Sequence, residues 1–600
     1  MVGAGCIFSI GGVIVPFFVF DVFPFLPLSS FLCQSCGSPY LCATKSISIQ
    51  SSMNKKLTTA LFSGFCALSL TAQSELSLIP LPAQVQTEQG TFRFNKKVKT
   101  AVDAYPGDSI QWVLDNFAKD FTAVTGVKVE TSKPTKAQLR MKLNPSLGAE
   151  AYKLHVTSEA IQIEAARPVG FFYALQTIKQ LLPSRAVLAG KADPQVKEWT
   201  LPVVNITDEP RFGWRGFMLD EGRHFFGKDE IKKVIDVMAA YKMNRFHWHL
   251  TEDQGWRIEI TKYPKLTSVG GWRNSKVLGW GDVKPDGQRY GGYYTQEEAR
   301  EIVKYARERF VEIVPEVDIP GHSQAAVASY PNFLACDYTN KHEVWLYQGV
   351  STEVINVSNP KAVQFAKDVV DELTNIFPFG YIHLGGDECP TTKWEKNEDC
   401  QKQLKEIGST NYRDLQINFY RQLQDHIAKK PEAERRKLIF WNEVLHGNTA
   451  PLGKDITIMA WVGADAAAQD AAKRGMTTIL SPQIPYYINR KQSNLPTEPH
   501  SQGYGTETVE AVYNYVPMKD VDASLQPQYM GVQANFWTEW VEDSSTLEYL
   551  MFPRLAAVAE AGWTPQALRQ YPNFVKRLQK DATFYQLKGV NYGKHVFTAE

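Results

Sequence analysis

Between Arg211 and about residue 570 the chain repeats one unit, a short apolar run followed by a longer stretch with apolar residues at helical spacing. Strands are predicted at 214–220, 245–250, 311–317, 381–384, 437–441, 456–461, 477–480 and 529–537. Helices are predicted at 228–241, 295–309, 362–376, 412–428, 464–474 and 545–561, and Ile231, Val234, Ile235 and Met238 show the stripe such a helix buries. Eight strands alternating with helices over this length predict an α/β fold, a (β/α)8 TIM barrel spanning 209–570. The seventh unit is the least regular, because 481–516 contains no clear helix.

A barrel of this kind places its chemistry where the strands end. Acids and tryptophans collect there: Asp220-Glu221-Gly222-Arg223-His224, Thr251-Glu252-Asp253-Gln254, Asp318-Ile319-Pro320-Gly321-His322, Asp387-Glu388, Trp441-Asn442-Glu443, Trp461 and Trp537-Thr538-Glu539-Trp540. Asp387 and Glu388 follow the apolar run 381–384 and the glycines Gly385 and Gly386. Neighbouring side chains of a strand point to opposite faces, so these two carboxylates share a site only if the chain leaves the strand at the glycines. An acid pair at a helix N-terminus is the plainer alternative. The gathering of acids at the other strand ends favours the active-site reading.

Residues 77–208 read as a small α+β domain, with alternating strands at 92–94, 153–156 and 160–165 and helices at 109–124 and 171–182. No catalytic constellation falls in it, so packing or positioning is the expected role. Residues 571–600 are expected to pack on the barrel as a tail. At the other end, Met53-Asn54-Lys55-Lys56, an apolar run at 57–70 and Thr71-Ala72-Gln73 form a secretory signal over 53–73, cut near Ala72, and the protein is expected to be exported. Phe65 precedes Cys66 where a lipid-anchoring signal wants a small residue, which disfavours an anchor. The apolar stretch at 7–32 is broken by Pro16, Asp21, Pro24 and Pro27 and makes a poor membrane span, so 1–52 reads as an extension ahead of a true start at Met53.

With 65 basic and 64 acidic residues, the charge balance argues against nucleic acid or an anionic membrane as partner. Fourteen tryptophans suit a ligand with flat apolar faces, such as a sugar ring, although for any single one core packing is the more common use. Of the eight cysteines only Cys336, Cys389 and Cys400 lie beyond the signal. They allow one disulfide of unspecified pairing. No zinc-type spacing is present and no metal or cofactor is expected.

Taken together, His383-x-Gly385-Gly386-Asp387-Glu388, Arg215-Gly216 with Asp220-x-x-Arg223-His224, the 247–254 run, Asp318-Ile319-Pro320-Gly321-His322, Trp441-Asn442-Glu443 and Trp537-x-Glu539 resemble the family-20 β-N-acetylhexosaminidases. The resemblance implies exo-acting removal of a terminal β-linked N-acetylglucosamine or N-acetylgalactosamine, with the substrate's own acetamido oxygen as nucleophile. It makes Glu388 the general acid and base, expected to rest protonated with Asp387 as a like charge, and Asp387 the partner of the acetamido N–H. It makes Arg223 and Glu539 hydroxyl ligands, Trp441, Trp461 and Trp537 the box around the ring, and Asp253, Asp318, His322 and His383 the support behind Glu388. The family's Tyr-x-Asp is matched by Tyr487-Ile488-Asn489, with Tyr486 adjacent. Asn489 therefore replaces a carboxylate, which bears on the preferred sugar or on tolerance of a substituted one. Two alternatives stand beside this reading: a non-catalytic carbohydrate-binding protein on the same scaffold, and a retaining glycosidase with a carboxylate nucleophile. The natural glycan and the oligomeric state are not encoded in any motif.

Overall fold

The computed structural model describes residues 76–598, so the signal at 53–73 and the extension at 1–52 lie outside the described residues. Eight parallel strands close into a barrel in the order Trp214–Asp220, Arg245–His249, Glu312–Glu316, Tyr381–His383, Lys437–Trp441, Ile456–Ala460, Thr477–Leu480 and Tyr529–Phe536, the last pairing with the first. Side chains of Trp214, Met218, Val314, Ile439, Met459 and Ile479 fill the barrel interior, so the lumen is packed core rather than a channel. The first five strands end on Asp220, His249, Glu316, His383 and Trp441, all buried. These ends set the floor of the site.

The surrounding helices follow local sequence chemistry. Gln296–Arg307 starts at Thr295, whose hydroxyl accepts from the Glu298 amide while Glu298 accepts from Thr295 in return, a reciprocal cap. The single helix expected at 545–561 is two helices, Ser544–Met551 and Arg554–Trp563. Pro553 explains the break, since it has no N–H to donate and its ring clashes with the preceding turn. The irregular seventh unit contains a short helix at Val509–Asn514 that composition alone did not mark.

The preceding domain is a seven-stranded mixed sheet covered by helices Ser109–Thr125 and Pro168–Leu181. Buried polar contacts fasten it to the barrel. Arg215 reaches Glu150 at 2.8 Å, and Asp208 takes Lys242 Nζ at 3.2 Å and the Trp563 indole N–H at 2.9 Å. Arg215, part of the recognised motif, thus serves domain docking. The terminal helices Tyr571–Leu578 and Asp581–Lys588 join both parts, through Arg577 to Glu560 and Asp581 to Arg185. Cys336, Cys389 and Cys400 are free, so the disulfide that their number allowed is not formed; the Cys336 thiol donates to the Val354 carbonyl at 3.7 Å and the Cys400 thiol to Asn356 Oδ1 at 3.4 Å.

Candidate active site

After His383 the chain turns through Gly385 at φ +67° and Gly386 at φ +100°, and Glu388 itself sits at φ +42°. Left-handed backbone costs a non-glycine residue roughly 1–2 kcal/mol, so Glu388 is held there by its surroundings. A Cβ on Gly385 would lie 1.9 Å from Asp318 Oδ1. Asp318 needs that proximity, because its Oδ1 accepts from the Gly386 N–H at 3.0 Å and clasps the turn. Asp387 is buried, whereas Glu388 keeps 46% of its side-chain surface exposed. Both reach one imidazole nitrogen, His322 Nε2, at 3.8 and 3.5 Å. The glycine turn has put two consecutive acids on one side of the chain.

Behind them lies a buried charge relay. His322 Nδ1 is 3.0 Å from Glu252 Oε2 and 3.3 Å from Asp253 Oδ2. Burial alone would discharge this imidazole, but Glu252 and Asp253 hold it well above the ordinary histidine range, so it is a cation. Lying 3.5 Å from Glu388, it holds that carboxyl below its usual value. The expectation that Asp387 would keep Glu388 protonated in the resting site is therefore corrected: the adjacent imidazolium outweighs the like charge. Asp318, by contrast, is pushed well above the carboxylate range by burial and then by the charge of Asp387. Asp387 is raised as well, chiefly by burial. Burial and mutual repulsion thus favour a proton shared by the Asp318–Asp387 pair.

Arg223 Nη2 meets Glu252 at 2.8 Å and Nη1 meets Asp220 at 3.4 Å, while the guanidinium stacks 5.0 Å from the Trp537 ring centre. The side chain lines the cavity and is structurally paired at the same time. Tyr487 stacks on Trp461 with centroids 5.9 Å apart and planes at 10°, and Trp537 closes the same wall. Tyr486 turns the other way onto Tyr515, which settles which tyrosine faces the cavity. Trp441 is fully buried, packed on Trp537 with its indole N–H donating to Glu316 at 2.8 Å. It backs the box instead of lining it. Asn489 is buried and donates to Gln502 at 2.8 Å.

The cavity bounded by Arg223, Asp387, Glu388, Trp461, Tyr487 and Trp537 has a volume of about 430 Å³. Exposed Trp280 and Ile484, at 48% and 64%, stand at its mouth. Buried polar atoms without a protein partner converge on it: Arg223 Nε, Asp387 Oδ1, Trp537 Nε1 and Glu539 Oε2. Each unmet group of this kind costs about 1–3 kcal/mol, so their concentration marks a place where a polar ligand supplies the missing bonds.

Glu316 escaped the sequence reading, and so did the roles of Glu252 and Glu443, which appear in it only as strand-end acids. Glu316 is the hub beneath the floor, hydrogen-bonded to His249 Nδ1 and accepting from the Trp441 indole, with His247 Nε2 and His383 Nδ1 lying 2.9 Å away on either side. That contact is where His383 is used. Glu252 joins Arg223 to His322, and Glu443, raised to about 8 by burial and the Asp387 charge, accepts from the Trp461 indole at 2.7 Å. An acid inside an otherwise apolar strand, as in Val-Pro-Glu316-Val, was the available signal for the hub. Among the described residues three sets bring potential metal-ligating atoms within 4.8 Å: His247, Glu316 and His383; Glu252, Asp318 and His322; and His322, Asp387 and Glu388. In each, an imidazole nitrogen already lies against a carboxylate.

Residues 212–566 match the description "Glycosyl hydrolase family 20, catalytic domain", and residues 75–209 match "Glycosyl hydrolase family 20, domain 2". A β-hexosaminidase of Porphyromonas gingivalis is 36% identical over 545 residues, covering 88% of this chain and 67% of the relative. One from Akkermansia muciniphila is 34% identical, covering 75% and 86%. The solved structure of a Vibrio harveyi exo-β-N-acetylglucosaminidase in complex with N-acetylglucosamine superposes with a TM-score of 0.76 at 33% identity, over 86% of this chain and 78% of that one. Streptomyces plicatus N-acetyl-β-hexosaminidase gives a TM-score of 0.72 at 31% identity, over 86% and 96%. The closed barrel, the domain ahead of it and these matches along most of the chain agree, and the chain belongs to glycosyl hydrolase family 20.

Proposed function

We propose that the protein is an exo-acting β-N-acetylhexosaminidase that releases terminal β-linked N-acetylglucosamine or N-acetylgalactosamine by a retaining, substrate-assisted route. The observation that carries this is the inequality of the acid pair. Glu388 is the acid open to the cavity, and Asp387 is buried beside aromatic rings with one oxygen unpaired. With Tyr487 on the same wall, Asp387 is suited to gripping an acetamido group.

In this reading Asp387 accepts from the acetamido N–H and Tyr487 donates to its carbonyl oxygen, aligning that oxygen under C1. The oxygen attacks C1 as the glycosidic bond breaks, and the departing oxygen takes the Glu388 proton. Binding supplies that proton: a sugar over Glu388 covers its exposed surface, raises its affinity for a proton, and His322 Nε2 is the adjacent source. The positive oxazolinium that forms is balanced by Asp387. Glu388, now a carboxylate, takes a proton from water, whose oxygen opens the ring at C1 on the face the leaving group vacated. Arg223 and Glu539 bind the hydroxyls, and the Trp461–Trp537 wall excludes water until the intermediate exists. Both side chains of the acid pair are present, which disfavours a binding-only role.

The signal pattern at 53–73 supports export of the mature chain, tested by N-terminal sequencing of secreted or periplasmic material. Activity itself is tested by nitrophenol release from 4-nitrophenyl β-N-acetylglucosaminide and galactosaminide. Absence of turnover on both would overturn the hydrolase reading.

A further inference from the structure

The glycine turn that carries the acid pair and the turn that carries His322 are fastened to each other by a helix that contributes no residue to the cavity lining. Helix Arg413–Ala428 presents Gln416 and Tyr420, one turn apart and so on one face, to both. The Gln416 amide N–H groups donate to the Gly386 carbonyl at 3.1 Å and to the Tyr420 hydroxyl at 2.9 Å, and that hydroxyl donates to the Ile319 carbonyl at 2.8 Å. A carbonyl can only accept, so the acceptors at the two ends fix the direction of every proton between them. The chain of bonds is sealed from water: Gln416 is 3% exposed, and Tyr420 is fully buried with its ring centre 4.4 Å from that of Phe440.

The two turns need such a hold. His322 at φ +43° and Glu388 at φ +42° both sit in the left-handed region, which non-glycine residues keep only where their surroundings impose it. The turns also meet backbone to backbone: a Cβ on Gly321 would come within 3.2 Å of the Asp387 carbonyl, and one on Gly386 within 2.6 Å of the Tyr420 hydroxyl. Gly386 is gripped from both sides, its N–H by Asp318 and its C=O by Gln416, and that C=O lies in the peptide plane leading into Asp387.

We infer that Gln416 and Tyr420 are positioning residues, a clamp that sets how far the His322 imidazole stands from Asp387 and Glu388 and so governs proton transfer at the acid pair without touching the sugar. This rests on the hexosaminidase reading above. His322 Nε2 stands 3.8 Å from Asp387 and 3.5 Å from Glu388, a range in which the interaction of charges changes with small shifts. His322 acts most strongly on the Glu388 proton and lowers its affinity; Arg223 adds to this, and Glu252 opposes it. Glu443 and Asp387 are the other acids facing Glu388. Arg223, Glu252 and Glu443 come from other strand ends, so loosening the clamp alters the His322 contact and leaves theirs.

The test uses the purified full chain and two variants of nearly unchanged shape, Tyr420→Phe, which removes one hydroxyl, and Gln416→Met, which removes the amide. Tyr420→Phe frees the turn carrying His322. It should lower kcat by about ten- to a hundredfold on alkyl β-N-acetylglucosaminides with little change in KM, and by less on the 4-nitrophenyl glycoside, whose leaving group needs less help from an acid. Gln416→Met frees Gly386 and both acids after it, so both substrate classes should slow. In each variant the basic limb of kcat/KM should move to higher pH, the direction that loss of His322 produces, and Tyr420→Phe should move it no further once His322→Ala is in place. Tyr263→Phe, which removes a 2.7 Å bond to Asp368 between residues that do not line the cavity, shows what lost stability alone does. Thermal midpoints lowered in all three variants while kcat and the pH limb of the clamp variants match the parent's, or a limb shift that adds to that of His322→Ala, would overturn the inference. Failure of the parent to cleave either substrate would overturn the hydrolase reading instead.

Discussion

Replacing Asp318 by Asn tests the electrostatic design of the floor. Asp318 is 1% exposed, its Oδ1 accepts from the Gly386 N–H at 3.0 Å, and its Oδ2 has no donor facing it. Burial and the Asp387 charge raise its pKa well above the ordinary range, so it folds protonated where an unfolded aspartate, with pKa about 3.9, is ionised. Between those two values the native state binds one proton more than the unfolded state, and stability falls by about 1.4 kcal/mol for each pH unit of rise. An Asn at 318 keeps the Gly386 acceptor, supplies an N–H in place of the carboxyl O–H and carries no linked proton. Its stability relative to the parent should therefore rise with pH, read as the difference in urea midpoint at pH 4.5, 6 and 7.5. Activity should survive, with kcat/KM within about tenfold of the parent, whereas Asp387→Ala should cost on the order of 10²–10³. A stability difference independent of pH, or activity lost as deeply as in the Asp387 variant, would refute a shared proton on Asp318.

Other perturbations separate the remaining roles. Glu388→Gln should cost about 10²–10⁴ in kcat on substrates with poor leaving groups and much less on activated aryl glycosides, checked with paired alkyl and nitrophenyl substrates. His322→Ala removes the imidazolium that lies 3.5 Å from Glu388 and depresses it, so the basic limb of the kcat/KM profile should move to higher pH; an unmoved limb would separate His322 from the acid. Tyr487→Phe should lower kcat with little change in KM, the signature of a bond made in the transition state, and a pure KM effect would count against it. Gly385→Ala forces a Cβ to within 1.9 Å of Asp318 Oδ1 at φ +67° and should destabilise by ~2–4 kcal/mol while displacing the acid pair, measured by thermal unfolding alongside activity.

Much of the barrel was legible because each apolar run and each helical stripe reports its own burial, and because the strand ends are where charged residues interrupt that pattern. The breaks at Pro553 and within 481–516 fell where short elements carry too few residues for a period to show. In the site, the acid pair and the tryptophans announced themselves by position. The Glu316 hub did not, and Glu252 showed its place but not its role, since each is one acid whose meaning lies in imidazoles and a guanidinium brought from other strands. The state of Glu388 was misread for the same reason. Its sequence neighbour Asp387 suggests repulsion, but the group that governs it is His322, sixty-six positions away and 3.5 Å distant. Trp441 likewise gave no sign that it would back the box from full burial.

The central claim is that the substrate's acetamido oxygen, held by Asp387 and Tyr487, is the nucleophile. It is tested most directly by kcat/KM on aryl glycosides whose N-acetyl group carries none, one, two or three fluorines. Electron withdrawal weakens the acyl oxygen without touching the leaving group or Glu388, so a steep, monotonic loss of rate along the series is predicted. A flat series, accompanied by a sugar ester trapped on a carboxylate in the mass spectrum of the protein, would contradict it.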